Sequence, residues 1–331
     1  MTPLQEMIAP DLMAEIASEI AAVEVELEHQ VRSQIKLVSD VGSHTLEAGG
    51  KRLRPAFLSI SAKSTGLEFD ENRARLLGAC MEMIHMATLI HDDVIDNAPT
   101  RRGRDTASVV FGNTASILSG DVLLAKAMSI LAQDGDLEVI RSVSNAVVDM
   151  AEGEVAELET RGVFDLTEEA HIRILHLKTA SFVECCCEVG ARITGSPPHI
   201  LKALRAYGLH VGLAFQIVDD LLDYTGDAAR IGKSVATDFR EGCSTLPLIY
   251  LLPKLSEAER DLARNKFGEG ATDDAVALIV EWMFARGALD QARSVAESHV
   301  QTALEALEPL PEGRYKQLLV TFAKFVLSRE S

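Results

Sequence analysis

Apolar residues recur at helical spacing along most of the chain, and this periodicity limits the possible folds more than any other feature. A representative series is Leu76, Leu77, Cys80, Met81, Ile84, Leu89, Ile90 and Val94. Alternating runs typical of strands are scarce, and turns containing glycine or proline separate the helical segments. Two segments, 73–97 and 199–224, exceed twenty residues, which is typical of bundles with buried central helices. The sequence predicts an all-α fold, as one domain over 1–331 with residues 1–24 as a peripheral N-terminal helix.

The charge balance and the cysteines argue against several classes of protein. A formal net charge of -18 is unlike that of nucleic-acid-binding proteins, which carry a basic surface. The first thirty residues contain acids where a secretory leader carries lysines, and no window of about eighteen apolar residues lacks charge. The run Cys185–Cys187 suits neither disulfides nor a metal-binding pair. We expect a soluble, cytoplasmic chain with reduced thiols and no nucleic-acid partner.

Two acidic clusters with identical spacing lie towards the ends of the two long apolar segments. The clusters are Asp92, Asp93 and Asp96, and Asp219, Asp220 and Asp223. Negative charge is unfavourable near a helix C-terminus, so the repeated placement requires a compensating cation. Oxygen ligands without histidine or thiolate favour Mg²⁺, which completes its shell with water and substrate phosphates. A single copy would be interpreted as a solvated helix end, whereas two matched copies predict a site for Mg²⁺ and a phosphorylated ligand.

Basic and polar residues near these clusters supply what an anionic ligand needs. The basic candidates are Lys51, Arg52, Arg54, Arg101, Arg102, Lys178 and Lys233. Guanidinium groups bind phosphate bidentately, and lysine supplies a compact charge. His85 precedes Asp92 by two helical turns, and Gln216 precedes Asp219 by about one. Two basic sets and two acidic sets indicate two diphosphates, one bound through metal and one bound directly by side chains.

The remaining charged residues of these segments receive simpler interpretations. Arg104 has no specific role, and we expect it on the surface or in a salt bridge. Four acids between the two clusters are expected to form a mostly solvated face: Glu152, Glu154, Glu157 and Glu159.

The chain resembles the trans-isoprenyl diphosphate synthases, also called polyprenyl synthetases, from about residue 25 to the C-terminus. The matching segments are GGKRLRP, HDDVIDNAPTRRG, KTA, GLAFQIVDDLLDYTGD and GCSTLP, in this order. The resemblance implies an isoprenoid synthase helical bundle with a large central cavity, usually in a homodimer. It also implies that an allylic diphosphate ionises, that isopentenyl diphosphate adds to the carbocation, and that a proton is then lost. Mg²⁺, as three ions per site, would bind with the allylic diphosphate.

The resemblance further implies a role for each matching residue. Direct Mg²⁺ ligands would be Asp92, Asp96 and Asp219, supported by Asp93, Asp220 and Asp223. The allylic diphosphate would be held by Arg101, Lys178 and Lys233. Isopentenyl diphosphate would be held by Lys51, Arg54, His85 and Arg102, and Thr179 and Gln216 would line the reaction centre. This chain has Ala236 where the family often has glycine and Cys243 where it often has lysine, and the second departure puts an accessory contact in doubt.

Product length should depend on what blocks the growing tail below the first acidic cluster. Ala87 and Thr88 lie five and four residues before Asp92, about one helical turn deeper. In the resembling family a bulky aromatic residue at this level stops elongation early, and neither residue here is bulky. The first cluster also lacks the two-residue insertion common in bacterial short-chain members. We expect eight to ten isoprene units, leaning to ten as in a ubiquinone side chain, with Met128 as a candidate for the deeper floor.

Other functions remain open at this point. A class I terpene cyclase or a squalene-type synthase would share the same type of fold, but cyclases usually carry an Asn/Ser/Glu-type second motif. A metal phosphohydrolase built on His91 and Asp92 would need further histidine ligands. A shorter-chain synthase for farnesyl or geranylgeranyl diphosphate and a non-catalytic regulatory subunit of a prenyl synthase are the remaining alternatives. The product of the expected enzyme would pass to the membrane.

Overall fold

The computed structural model describes residues 8–226 and 236–329, and these residues are almost entirely helical. The α-helices in chain order are α1 Pro10–Gln30, α2 Lys36–Glu47, α3 Leu53–Ser64, α4 Glu71–Ile95, α5 Ala107–Phe111, α6 Asn113–Asp134, α7 Leu137–Thr160, α8 Glu168–Leu175, α9 Ser181–Ile193, α10 Pro198–Thr225, α11 Thr237–Glu241, α12 Leu246–Leu251, α13 Glu257–Lys266, α14 Asp273–Ala285, α15 Ala288–Ala306 and α16 Arg314–Leu327. The strands β1 (Thr100–Arg101) and β2 (Arg104–Asp105) form a short antiparallel hairpin. The prediction of an all-α chain is confirmed.

The chain divides into two compact units. The first comprises Met1–Ser144, Cys186–Leu201 and Leu310–Leu318. The second comprises Asn145–Cys185, Lys202–Pro309 and Leu319–Ser331. The organisation of residues 1–331 as a single domain stays a prediction.

Helix α4 forms the centre of the first unit and packs chiefly along α6. It begins at Asp70, whose carboxylate accepts hydrogen bonds from the backbone N–H groups of Asn72 and Arg73, so two of the unpaired donors at the helix start are satisfied. Met81 and Ile84 are fully buried on this helix, and each such side chain contributes about 1.5–3 kcal/mol relative to an exposed position. The same helix ends at the first acidic cluster, so the packing of its apolar part fixes the position of Asp92 to Asp96 within the unit.

The N-terminal helix α1 ends at Gln30, six residues after the end of the peripheral helix predicted over residues 1–24. Its Leu27 is fully buried. The ammonium group of Lys126 in α6 donates a hydrogen bond to the backbone oxygen of Gln30 at 2.8 Å and so satisfies a carbonyl at the end of α1. The last turn of α1 is therefore tied to the core of the first unit.

Within the described ranges, α6 is the one helix that is long and apolar enough to cross a membrane. Its most apolar window has a mean hydropathy of 1.5, and 39% of that window is buried. Because α6 packs along α4 in the first unit, its buried side is accounted for as helix–helix packing.

Helix α10, from Lys202 onward, forms the centre of the second unit and carries the second acidic cluster at its end. Tyr207 and Tyr224 are buried on this helix, and the hydroxyl of Tyr207 donates to the backbone oxygen of Leu319 at 2.8 Å. This bond satisfies a buried polar group and fixes the C-terminal part of α16 against α10.

Candidate functional site

The first acidic cluster occupies the last turn of α4, where its three carboxylates have different surroundings. Asp92 is half-buried, Asp96 is exposed and Asp93 is buried. The carboxylate of Asp93 accepts a hydrogen bond from Nε of Arg101 at 2.6 Å. Asp93 therefore holds a basic residue in place, while Asp92 and Asp96 are the more accessible carboxylates.

The hairpin after α4 contains a turn whose two residues, Arg102 and Gly103, have an unusual backbone conformation. Arg102 and Gly103 form the two-residue turn, with φ angles of 53° and 75°, as in the turns that favour asparagine and glycine. Arg101 and Arg104 pair directly across the two strands, and like charges in this position repel. Arg104 lies 3.8 Å from Glu47, so its expected salt bridge is confirmed. The hairpin concentrates positive charge next to the acidic cluster.

A group of basic side chains that we call the arginine cluster, Arg52, Arg54 and Arg102, surrounds His85 in the first unit. Burial lowers the pKa of His85 well below its ordinary value, and the positive charges of Arg54 and Arg102 lower it further. The imidazole is therefore neutral at neutral pH. Burial also lowers the pKa of Arg54 and of Arg102, which Glu82 opposes. The sequence predicted Arg54, Arg102 and His85 as one set, and the structure brings them together.

Arg52 has a structural role within this group. Its guanidinium donates to Glu82 at 3.1 Å, to Glu24 at 3.2 Å and to the backbone oxygen of Leu46 at 3.1 Å. The Arg52 and Glu82 side chains are each only 4% exposed. Lys51, the remaining basic residue of this segment, is exposed.

The chain-length candidates differ in their surroundings. Thr88 is half-buried and lies on the same stripe of α4 as Asp92 and Asp96, because these residues recur every four positions. Ala87 is 2% exposed and belongs to the packed side of the helix. Met128 is half-buried on α6.

In the second unit the second acidic cluster occupies the last two turns of α10. Asp219 is exposed, whereas Asp220 and Asp223 are half-buried. The carboxylate of Asp223 accepts hydrogen bonds from the backbone N–H groups of Thr237 and Asp238, at 3.0 and 2.9 Å. Asp223 thus caps the start of α11 and anchors the chain that returns to α10.

Asp220 lines a cavity of about 170 Å³ in the second unit. Oδ2 of Asp220 lies 2.9 Å from Nε2 of His171. Burial raises the pKa of Asp220, the hydrogen bond from His171 opposes this shift, and the neighbouring carboxylates Asp219 and Asp223 add to it. Asp238 lines the same cavity, and burial followed by the negative charge of Asp220 raises its pKa well above the ordinary value.

Gln216 and Lys178 line this cavity as well, so the structure places Gln216 beside the same space as Asp220. Lys178 and Thr179 lie on the π-helical turn His176–Ala180, a local distortion often found at functional sites. Glycines let two helices approach this turn: a Cβ at Gly153 would lie 2.5 Å from the backbone nitrogen of Lys178, and one at Gly212 would lie 2.7 Å from Cα of Ala180. The turn is therefore tightly enclosed by α7 and α10.

Lys178 is held by two carboxylates of α7. Its ammonium contacts Glu154 at 2.9 Å and also contacts Glu157. Burial lowers the pKa of Lys178, but Glu157 and Glu154 outweigh that effect and raise it overall, so the lysine is charged. The expectation that these acids belong to a solvated face was wrong for Glu154 and Glu157, because both side chains are largely covered and paired with Lys178.

Sequence reasoning missed several residues of these sites. They are His171, Asp238, Glu82 and the pair Glu154 and Glu157. The apolar neighbours of Glu82 in α4 are a signal that it needs a buried partner. No comparable local signal identifies His171, whose partner lies 49 positions away. Lys233 lies outside the described residues.

The two residues that depart from the family pattern, Ala236 and Cys243, have different surroundings. Ala236 has a φ of 58°, in the region where glycine is favoured. Cys243 lines the same cavity as Lys178 and Asp220. Burial, with Glu157 and Asp238 nearby, raises the pKa of Cys243 to about 12, so the thiol stays protonated. All five cysteines are free thiols, as expected.

Replacing Ala236 by glycine should change the free energy of unfolding by less than about 1 kcal/mol. The left-handed backbone costs alanine about 1–2 kcal/mol, but glycine forfeits a buried methyl group worth about 0.8 kcal/mol and gains chain entropy when unfolded. Ala236→Val, with a branched side chain at the same buried position, should destabilise by more than about 2 kcal/mol. Denaturant titration of both variants checks this, and a large stabilisation by glycine would contradict it.

The donors at both helix ends fit Mg²⁺. Asp92, Asp96 and Asp219 offer carboxylate oxygens that keep some exposed surface. In the part of the chain that the structure describes, no three side chains of His, Cys, Asp or Glu form a cage for a metal ion. Mg²⁺ commonly uses one or two carboxylates and leaves its other positions to water and phosphate. The carboxylates at each helix end, taken separately, therefore suit an ion that arrives together with a phosphorylated ligand.

Comparison with known proteins agrees with the fold. The sequence model of the polyprenyl synthetase family matches residues 35–283, and the chain belongs to this family. It is 38% identical over 321 residues to the all-trans-nonaprenyl-diphosphate synthase (geranyl-diphosphate specific) of Rhodobacter capsulatus, covering 96% of this chain and 97% of that protein. The chain is thus a trans-prenyltransferase, and several of its relatives are long-chain polyprenyl diphosphate synthases, among them the octaprenyl diphosphate synthase of Escherichia coli, 34% identical over 95% of this chain and 97% of that protein.

Solved structures support the same assignment. A decaprenyl diphosphate synthase from Rhodobacter capsulatus superposes with a TM-score of 0.91 at 35% identity, covering 99% of this chain and 100% of that one. A polyprenyl synthase from Caulobacter crescentus, complexed with calcium and isoprenyl diphosphate, gives a TM-score of 0.89 at 32% identity over 97% of each chain. The family depends on Mg²⁺ and uses isopentenyl and allylic diphosphates. The resemblance inferred from the motifs is confirmed.

Proposed function

We propose that this chain extends farnesyl or geranylgeranyl diphosphate with isopentenyl diphosphate to an all-trans product of eight to ten isoprene units, with ten favoured, for quinone side chains. The observation that carries the proposal is the arginine cluster around neutral His85, next to the acidic end of α4. Guanidinium groups that lie close together repel one another, and a diphosphate both balances their charge and matches their paired donors.

Isopentenyl diphosphate is assigned to the arginine cluster. Arg54 and Arg102 supply the charge, the neutral imidazole of His85 supplies a hydrogen bond, and exposed Lys51 adds charge at the rim. Arg52 is held by Glu82 and keeps its neighbours in place. Charge-assisted hydrogen bonds of this kind are about twice as strong as neutral ones.

The allylic diphosphate is assigned to the carboxylates through Mg²⁺ and to Lys178 and Arg101. Asp92, Asp96 and Asp219 are the proposed ligands of three ions, with Asp93, Asp220 and Asp223 in support, and Lys233 is proposed from the sequence alone. When bound, the ions stabilise the negative charge that develops on the leaving diphosphate. Lys178 must then share its charge between Glu154, Glu157 and the diphosphate.

After ionisation, the side chains have to protect a carbocation from water. Thr179, on the π-helical turn, and Gln216 offer oxygen dipoles that can face positive charge. The aliphatic residues that precede each acidic cluster exclude water, which would otherwise capture the cation. The proton is then lost from C2 of the isopentenyl unit, with the released diphosphate as the acceptor.

We also propose that the protein works as a homodimer in the cytoplasm and passes its product to the membrane. Apolar side chains at the start of the α5–α6 region support a partner surface, since Val109, Ile117 and Leu118 are 55%, 41% and 58% exposed. Contiguous exposed apolar residues are typical of interaction sites. Light scattering of the purified chain measures the oligomeric state.

Placing tyrosine at position 88 or 87 should shorten the longest product by several isoprene units. Both positions lie about 6–8 Å along α4 before Asp92, and Thr88 shares its stripe. Because Ala87 is packed, Ala87→Tyr is also expected to cost about 1–3 kcal/mol of stability, so Thr88→Tyr is the cleaner variant. Mass spectrometry of the products checks the result, with Ala258→Tyr on exposed α13 as the control. Full-length products from both variants would contradict the hypothesis that residues 87 and 88 line the path of the growing tail.

The main proposal is tested by incubating the purified chain with Mg²⁺, isopentenyl diphosphate and either farnesyl or geranylgeranyl diphosphate, followed by product mass analysis. A ladder that ends at eight to ten units is expected. A ladder that ends at three or four units would instead identify a shorter-chain synthase. No elongation by the isolated chain, with activity restored by a second protein, would identify a subunit that depends on a partner.

A further inference from the structure

Arg329, two residues after the end of α16, contacts the second acidic cluster within the second unit. Its NH1 atom lies 2.8 Å from Oδ1 of Asp219. Its guanidinium carbon also lies 4.2 Å from the ring centroid of Phe215, one turn earlier on α10. Although it is close to the chain terminus, the Arg329 side chain is only 14% exposed.

Two attractions hold the Arg329 side chain in this position, the ion pair and the cation–π contact, and each is favourable by itself. A positive charge beside Asp219 is favourable, since this carboxylate lies at the negative end of a helix beside Asp220 and Asp223. Arg329 therefore supplies positive charge where the sequence predicted that a cation is required.

We propose that Arg329 is the resident cation of the second acidic cluster: it neutralises Asp219 in the unloaded enzyme and leaves Asp219 when Mg²⁺ and a diphosphate bind. The inference rests on the proposed role of Asp219 as a metal ligand. The guanidinium lies 2.8 Å from Oδ1 of Asp219 and so takes the space beside the carboxylate that a metal ion would need, which makes the two cations compete for Asp219. Release of Arg329 would also loosen the residues beyond Leu319, whose backbone oxygen stays bound to Tyr207, so loading of the site would be coupled to hydrogen exchange in that segment.

The test is a calorimetric titration of Mg²⁺ into the full chain in the presence of inorganic diphosphate, so that binding is measured without turnover. Because Arg329 no longer competes, Arg329→Gln should lower the half-saturating Mg²⁺ concentration about fivefold, the scale of a partly exposed ion pair. Arg329→Lys, which keeps the charge, should give an intermediate value. Lys324→Gln, which removes an exposed charge from α16, should titrate like the wild type.

A second measurement reports directly on the segment that contains Arg329. In the wild type, hydrogen exchange of the peptide covering residues 320–329 should become faster when Mg²⁺ and inorganic diphosphate are added. An unchanged or higher half-saturating concentration in Arg329→Gln, or unchanged exchange in the wild type, would overturn the inference.

The variant Asp219→Asn distinguishes the proposed metal role of Asp219 from the proposed role of Arg329. If it binds Mg²⁺ and diphosphate as the wild type does, the metal role of Asp219 fails and the Arg329 inference fails with it. If Asp219→Asn is impaired while Arg329→Gln is unchanged, Asp219 keeps its proposed role and the Arg329 inference alone is wrong.

Discussion

Replacing Asp92 by asparagine is expected to reduce kcat by about 10³-fold, the scale of losing one preorganised electrostatic contact to a transition state. Asparagine keeps the size of the side chain and removes the negative charge. The half-buried Asp92 lies at the end of a helix whose apolar part is packed independently of it, so the melting temperature should stay within about 2 °C of the wild type. Steady-state kinetics with isopentenyl and farnesyl diphosphates, together with thermal melts, measure both quantities.

Two further variants sharpen this prediction. Asp93→Asn should lower both activity and melting temperature, because the buried carboxylate of Asp93 holds Arg101 at 2.6 Å. Asp261→Asn, at an exposed position of α13, makes the same chemical change away from the acidic clusters and should leave both quantities unchanged. Retention of more than a tenth of wild-type kcat by Asp92→Asn would show that Asp92 is not a principal ligand.

Replacing Glu82 by glutamine is expected to lower the free energy of unfolding by about 3–5 kcal/mol, the usual cost of breaking a buried ion pair from one side. Arg52 would keep Glu24 and the Leu46 carbonyl, but its buried charge would lose the partner at 3.1 Å. Arg54 and Arg102 would also lose the nearby negative charge that opposes the lowering of their pKa values. Urea denaturation followed by circular dichroism gives the free energy.

The arginine cluster supplies an internal check on this result. If the cluster binds diphosphate, inorganic diphosphate should raise the melting temperature of Glu82→Gln more than that of the wild type, because the ligand replaces the missing negative charge. Glu47→Gln is the matched control, since its partner Arg104 lies at 3.8 Å and both side chains are more than half exposed. Equal stability of Glu82→Gln and Glu47→Gln would mean that the buried pair contributes little.

The sequence predicted those features that depend on neighbours along one helix. The spacing of Asp92 and Asp96 places them one turn apart wherever the helix lies, and the apolar period identifies long buried helices without reference to their partners. For the same reason Gln216 could be assigned to the space next to Asp220. The arginine cluster was partly predictable as well, because Arg52 and Arg54 share one short segment and Arg102 follows the first acidic cluster within a few residues.

Tertiary structure alone decided which side chains meet across elements. His171 contacts Asp220, Lys178 contacts Glu154 and Glu157, and Glu82 holds Arg52. Such contacts depend on which helices pack and at what depth, and glycines such as Gly153 allow an approach that no helical period encodes. The sequence by itself therefore determined an all-α chain with two acidic helix ends. Packing determined which partner holds a given aspartate, such as Arg101 for Asp93 and His171 for Asp220, since burial leaves a charge stable only beside a complementary group.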